Sequence, residues 1–184
     1  MKKPRVLMPL SDGFDEIEAF VLSGMLKRAG VDVKPVGLQG VILTGSDGTK
    51  MVAEGKFEDI DTSTFDAILL IGGGSWDRLG NSSRLMDALH RFNRESKTIA
   101  AIGETPELLA KAGMLNDRKA TIRPGMERKL SRPRGEVVVV DGHIMTAQSP
   151  ASAMELGFRM IEKLLSKERV NFARDVLAGK EERI

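Results

Sequence analysis

The sequence contains no cysteine, only two histidines and few aromatic residues, which make up 4% of its 184 positions. Without cysteine the chain forms no disulfide, has no thiolate nucleophile and offers no sulfur ligand to a metal. His90 lies in a helical pattern and His143 follows a turn, so a histidine-based metal site has little support. We therefore expect neither a metal ion nor an organic cofactor.

Excess charge of one sign and long apolar runs are also missing. The formal net charge is +2, which is too small for a dedicated nucleic-acid-binding protein. No apolar run approaches the roughly 20 residues that a membrane-spanning helix needs. Residues 1–4 lead directly into a strand-like run and not into an apolar signal segment. We expect a cytoplasmic protein with one domain over residues 1–184, and neither nucleic acid nor membrane as a partner.

Short apolar runs alternate with amphipathic segments along most of the chain. The apolar runs predict buried strands at Arg5–Leu10, Val31–Val36, Phe65–Ile71 and Thr98–Ile102. The amphipathic segments predict helices at Asp15–Ala29, Ser83–Glu95 and Ala151–Ser166, one beginning at Pro106 with Thr105 as its cap, and a final turn or two at Val170–Leu177. Two hairpins are expected, one joining Val41–Leu43 to Met51–Ala53 and one joining Glu136–Val140 to His143–Ala147.

This order of elements predicts a three-layer α/β sandwich, in which a mostly parallel sheet carries helices on both faces. Such folds bind ligands outside the carboxyl ends of their strands. Three segments leave strand ends in this interpretation, namely Asp12–Glu18, Gly72–Gly74 and Gly103–Thr105. The polar, basic stretch Ile122–Arg134 contains two prolines and is expected to be a surface loop.

Consecutive glycines follow the third long apolar run. Gly73 and Gly74 can bring backbone N–H groups close to a ligand, which would make an anion or oxyanion cradle. The alternative is a tight turn with no ligand. A phosphate-binding loop is excluded because no Gly-Lys-Ser/Thr follows the glycines.

An acidic cluster occupies the turn after the first strand. Asp15 and Glu16 lie near a helix start, where negative charge complements the helix dipole. Glu18 lies between Ile17 and Ala19, so its side chain can point toward the end of the sheet. A carboxyl group buried there would have a raised pKa and could act as a general base.

The pattern from Thr98 to Ala110 predicts a buried strand that turns sharply into a helix. In many α/β enzymes such an elbow carries the nucleophile, but here the position holds Gly103, and Glu104 follows it. Arg123 lies nearest the strand ends among several basic residues of its loop, which indicates either an anion-binding role or a solvated surface. Trp76 after the glycines suits a pocket wall or a subunit contact.

These segments together resemble the ThiJ/PfpI superfamily, which includes intracellular proteases, deglycases, glyoxalases and relatives of class I glutamine amidotransferases. The resemblance runs from about residue 4 to about residue 166. It rests on four stretches, namely the opening strand with the turn to Glu18, residues 67–74, residues 99–102 with 108–115, and residues 144–150. It implies a flavodoxin-like or class I glutamine amidotransferase-like fold and a homodimer or larger homo-oligomer.

The sequence departs from the family pattern at two reactive positions. The family usually has cysteine where this chain has Gly103, and it commonly has histidine just after the residue that corresponds to Thr121. Glu18 and the Gly73/Gly74 cradle match the family site. Glycine accepts the unusual backbone conformation of the elbow without strain. The turn can therefore persist although thiol chemistry cannot.

Three functions are compatible with these features. The first is a small-molecule-binding or catalytically altered family member with a pocket formed by Glu18, Gly73, Gly74 and Gly103. The second is a Glu18-dependent hydrolase or a glyoxalase- or deglycase-like enzyme that acts on small carbonyl or acyl compounds, or an intracellular peptidase-like protein. In such an enzyme a water would lie between Glu18 and the Gly74 and Glu104 N–H groups. The third is a chaperone-like or regulatory oligomer, which would need an exposed apolar surface.

Overall fold

A single six-stranded sheet forms the centre of the protein in this computed structural model, which describes residues 3–74 and 76–180. The strands are β1 (Arg5–Leu10), β2 (Asp32–Gly37), β3 (Ile42–Thr44), β4 (Lys50–Val52), β5 (Ala67–Leu70), β6 (Thr98–Ile102), β7 (Val138–Asp141) and β8 (Ile144–Ala147). The large sheet has the order β2-β1-β5-β6-β8-β7, and only the β7–β8 pair is antiparallel. β3 and β4 form a separate antiparallel hairpin.

Helices cover both faces of this sheet. They are α1 (Glu16–Arg28), α2 (Trp76–Gly80), α3 (Ser83–Arg94), α4 (Pro106–Lys111), α5 (Ala153–Leu164) and α6 (Lys167–Leu177). α1, α5 and α6 contribute to the apolar core on one face, and α2, α3 and α4 contribute to the core on the other. The predicted three-layer α/β sandwich is therefore confirmed.

The central strands β1, β5 and β6 are apolar except at Arg5 and Thr98, their first residues, because both faces of the strands are covered. In β1, Val6 and Met8 point into the core that contains α1, whereas Leu7 points into the core that contains α3. All three side chains are fully buried. The continuous apolar runs that predicted these strands are thus a direct result of two-sided burial.

The structure corrects several details of the sequence interpretation. α2 was not expected, and α6 begins at Lys167, three residues before its predicted start. The stretch 122–134 is only partly a surface loop, since Ile122 and Leu130 are buried in the core. Both hairpins are confirmed, and β8 also joins the main sheet beside β6.

Strand order places a crevice at one end of the sheet. The chain leaves β1 toward β2 on one side, and β5 returns on the other side of β1. Ligands of α/β proteins bind at such a reversal of strand order, outside the carboxyl ends of the strands. Among the described residues, no helix is long and apolar enough to cross a membrane.

Candidate functional site

A cavity of about 520 Å³ opens at the carboxyl ends of β1, β5 and β6. Its lining residues are Asp15, Glu18, Ser46, Gly73, Gly74, Gly103, Glu104, Arg123, Pro124, Gln148, Ser149 and Pro150. All six residues singled out from the sequence as site candidates lie in this lining. We call this cavity the elbow pocket.

Glu18 projects from the first turn of α1 toward the sheet. Asp15 caps the helix by accepting a hydrogen bond from the Glu18 N–H at 2.9 Å. The Glu18 carboxyl is 1% exposed, and its Oε2 accepts a hydrogen bond from the Gly72 N–H at 2.7 Å. The inward orientation predicted for this side chain is confirmed.

Burial raises the pKa of Glu18 from 4.5 to about 8. The Gly72 N–H opposes this rise, nearby Asp15 and Glu104 add to it, and Arg123 opposes it. Glu18 is therefore mainly neutral at pH 7. Because Oε2 accepts from Gly72, the proton belongs on Oε1, which makes that oxygen a hydrogen-bond donor.

Glu104 also points into the elbow pocket and is 7% exposed. Its Oε2 accepts a hydrogen bond from the Gly73 N–H at 3.1 Å, and its Oε1 pairs with the Arg123 guanidinium. The Arg123 side chain is 60% exposed, so it lies at the mouth of the pocket. The loop that carries it is fixed to the elbow because the Arg123 N–H donates to the Gly103 carbonyl at 2.9 Å.

Both carboxyl groups press against the glycine backbone. A Cβ at Gly72 would lie 2.6 Å from Glu104 Oε2 and 3.1 Å from Glu18 Oε2. Gly103 has a φ of +69°, and a Cβ there would lie 2.9 Å from Glu18 Oε1. The elbow therefore keeps the left-handed conformation expected of it, and the Glu18 carboxyl fills the space beside it.

The glycine cradle already has acceptors within the protein. The Gly73 N–H donates to Glu104, and the Gly74 N–H donates to Ser46 Oγ at 3.3 Å. A ligand oxygen at either N–H would have to displace a side chain. The protonated Glu18 carboxyl and, at the mouth of the pocket, the remaining N–H groups of Arg123 can donate to a ligand.

Thr105 does not cap α4 with its side chain, which corrects the sequence interpretation. Its hydroxyl is buried, shares its one proton between the carbonyl oxygens of Leu70 and Ile102, and accepts from the Ile102 N–H. These bonds fasten the elbow to β5. The hydroxyl does not cap the helix because its hydrogen bonds go to Ile102 and Leu70 instead.

Several site features were missed or misplaced from the sequence. Ser46 lies at the tip of the β3–β4 hairpin, and no local pattern shows that this tip folds over the pocket. Gln148, Ser149 and Pro150 follow β8, so the rule that ligands bind at carboxyl strand ends could have found them. Trp76 packs on the core around α3 and not on the elbow pocket.

Two other basic side chains of residues 122–134 make contacts within the protein. Lys129 pairs with Glu107 at 3.2 Å, and Arg132 donates to the Asp117 carbonyl at 2.9 Å. Within the described ranges, no group of three His, Asp or Glu side chains is placed to hold a metal ion.

Comparison with known proteins decides the family. The model of the DJ-1/PfpI family matches residues 4–163. The chain belongs to this family. It is 31% identical over 170 residues to protein dj-1beta of Drosophila melanogaster, an alignment that covers 89% of this chain and 91% of the relative. The crystal structure of Drosophila DJ-1beta superposes with a TM-score of 0.91 at 28% identity and covers 96% of this chain and 98% of that one.

Two other relatives extend this comparison. Protein DJ-1 homolog B of Arabidopsis thaliana is 30% identical over 90% of this chain, which spans only 39% of that longer protein. A deglycase of Pyrococcus abyssi is 27% identical over 79% of this chain and 90% of its own length. The DJ-1/PfpI scaffold is therefore intact here, while Gly103 stands where the family usually has its cysteine.

Proposed function

We propose that this chain is a thiol-independent, small-molecule-binding member of the DJ-1/PfpI family, and that its ligand is a small carbonyl compound. The observation that supports this function most is the neutral Glu18 carboxyl beside Gly103. Its Oε1 lies 2.9 Å from the place that a Cβ at Gly103 would take, beside the position that carries the nucleophile in a catalytic relative. A carbonyl oxygen is the natural acceptor for such a donor.

The charges of the elbow pocket favour a neutral ligand over an anion. Glu104 and Arg123 pair with each other, so the guanidinium is not an isolated positive charge. Asp15 adds a carboxyl group to the same lining. A neutral carbonyl compound accepts a hydrogen bond from Glu18 and adds no further negative charge to this group of carboxyl side chains.

Titration with hydroxyacetone, followed by NMR of the Gly72–Gly74 amides, tests this function. We expect saturable binding that weakens as the pH rises through about 8, where Glu18 loses its proton. Glu18→Ala removes the donor and should weaken binding by about tenfold, whereas Glu18→Gln keeps a donor and should bind with no such pH dependence. Binding that is unchanged in Glu18→Ala would contradict the proposal.

A second candidate is a Glu18-dependent enzyme that acts on carbonyl or acyl compounds. Relatives named as deglycases share 25–27% identity with this chain, and Glu18 and Gly103 both line the elbow pocket. Only about a tenth of Glu18 is ionised at pH 7 for a pKa of about 8. Base catalysis would therefore strengthen with rising pH, opposite to ligand binding.

Turnover of methylglyoxal and of an acyl ester separates these functions. The protein should be assayed beside Gly103→Cys and Glu18→Gln between pH 6 and pH 9. Turnover that rises through pH 8 and is lost in Glu18→Gln would support the enzyme. Activity that arises only in Gly103→Cys would show that the scaffold lacks only its thiol.

We also propose that the protein is a cytoplasmic homodimer. Ile17 and Phe20 on α1 are exposed, as are Ile42 and Val52, which face each other across the β3–β4 hairpin. The hairpin is held beside α1, so these side chains are suited to a contact with a second copy. Light scattering should give a dimer mass that Val52→Glu reduces to a monomer; a monomeric parent would contradict the proposed dimer.

A further inference from the structure

The tip of the β3–β4 hairpin is built into the wall of the elbow pocket. The Ser46 N–H donates to the Phe14 carbonyl at 2.9 Å, and the Gly13 N–H donates to the Thr44 carbonyl at 2.7 Å. Two backbone hydrogen bonds therefore join the tip to the turn that precedes Glu18. Ser46 keeps a defined position relative to Glu18 although 28 residues separate them in the sequence.

The buried carboxyl group of Glu16 also fixes this hairpin tip. Its Oε1 accepts hydrogen bonds from the Asp47 N–H at 2.9 Å and the Thr49 N–H at 3.2 Å. The approach is so close that a Cβ at Gly45 would lie 2.2 Å from this oxygen. Glu16 therefore holds the hairpin tip in place. The general preference for acidic residues at helix starts does not explain these contacts.

The Ser46 hydroxyl has one hydrogen-bonding position left for a ligand. It donates to the Gly13 carbonyl at 2.6 Å and accepts from the Gly74 N–H at 3.3 Å. A hydroxyl oxygen has two lone pairs, and no second donor to this oxygen is found in the part of the chain that the structure describes. The unused lone pair belongs to a residue that lines the elbow pocket.

We propose that Ser46 is a ligand-binding, specificity-determining residue that accepts a hydrogen bond from a hydroxyl or amino group of the ligand, and that Glu16 is a positioning residue for it. The inference rests on the proposed carbonyl-binding function and narrows its ligand class. Glu18 donates to the carbonyl oxygen, and Ser46 accepts from a second polar group. The ligand is then a carbonyl compound with a hydroxyl or amino substituent.

A pair of probes that differ by one hydroxyl tests this role. Hydroxyacetone should bind about three- to tenfold more tightly than acetone, as expected for one neutral hydrogen bond. Ser46→Ala should abolish this preference, so that hydroxyacetone and acetone bind with equal affinity. Ser83→Ala, an exposed serine at the start of α3, is the matched control and should keep the preference.

Glu16 is tested through the same ratio of affinities. Glu16→Ala should reduce the hydroxyacetone preference, and Glu16→Gln should restore it because the amide oxygen still accepts from Asp47 and Thr49. A general loss of stability would lower both affinities and leave their ratio unchanged. If Glu16→Ala fails to fold, the glutamine variant still decides, since a lost preference in that variant contradicts the positioning role.

The outcomes separate this inference from the function beneath it. Equal affinities for acetone and hydroxyacetone in the parent, or a preference that survives Ser46→Ala, would overturn the role of Ser46 and leave carbonyl binding intact. Failure of both probes to bind would overturn carbonyl binding, and the Ser46 assignment with it.

Discussion

Two carboxyl groups enter the elbow pocket from different elements and have different environments. Glu18 comes from α1 and has a backbone N–H as its hydrogen-bond partner, so burial dominates and raises its pKa to about 8. Glu104 comes from the elbow after β6 and has both a backbone N–H and the Arg123 guanidinium. Burial alone therefore does not decide the chemistry of a carboxyl group. The presence of a cationic partner distinguishes the donor Glu18 from the ion-paired Glu104.

The largest expected effect concerns the stability cost of Glu18. Between pH 4.5 and pH 8 the unfolded chain releases this proton while the folded chain keeps it, so stability contributed by this group falls as the pH rises. Glu18→Gln should raise the free energy of unfolding. This gain should increase with pH and reach a few kcal/mol at pH 8. Urea unfolding at pH 5 and pH 8 measures it. Glu104→Gln breaks the ion pair with Arg123 and should not stabilise the protein; equal gains in both variants would remove the distinction between the two groups.

The elbow that carries Glu104 depends on Thr105. Thr105→Val leaves the Leu70 carbonyl and the Ile102 N–H without this partner and should cost about 1–3 kcal/mol of stability. Thr105→Ser keeps the hydroxyl and should cost less. Thermal unfolding of both variants tests the assignment, and equal destabilisation would show that the lost methyl and packing matter more than the hydroxyl.

Space beside Glu18 can be probed at Gly103. A side chain there requires a left-handed backbone and pushes on Glu18 Oε1, so Gly103→Ala should destabilise the protein by about 1–2 kcal/mol. The cost should fall in a Glu18→Ala background, where the carboxyl no longer occupies that space. Additive effects in this double-variant cycle would argue against contact between the two positions.

Removal of the Arg123 side chain should have the smallest effect. The guanidinium is largely solvent-exposed, so Arg123→Ala should cost about 1 kcal/mol or less, with a smaller effect at high salt. A cycle with Glu104→Gln isolates the energy of the pair. A coupling that is large and insensitive to salt would mean that this ion pair is better shielded from solvent than its exposure indicates.

Local sequence patterns were sufficient for most of the fold. The buried strands and amphipathic helices follow from apolar periodicity, because each pattern reflects which faces of an element are covered. α2 was missed because its five residues follow the glycines without an amphipathic repeat. The buried positions Ile122 and Leu130 were hidden within a polar, proline-containing stretch.

The sequence by itself determined the absence of thiol chemistry, the sandwich fold and the six candidate site residues, because residue type and strand order specify these. Only the tertiary structure decided that Glu104 pairs with Arg123, that Thr105 fastens the elbow to β5, and that Ser46 closes the pocket wall. These contacts join residues distant in the chain or depend on side-chain direction, which no local pattern records. The raised pKa of Glu18 depends on both sequence and tertiary structure. The position of Glu18 in the sequence predicted a buried carboxyl group, and packing against the sheet buries it and raises its pKa.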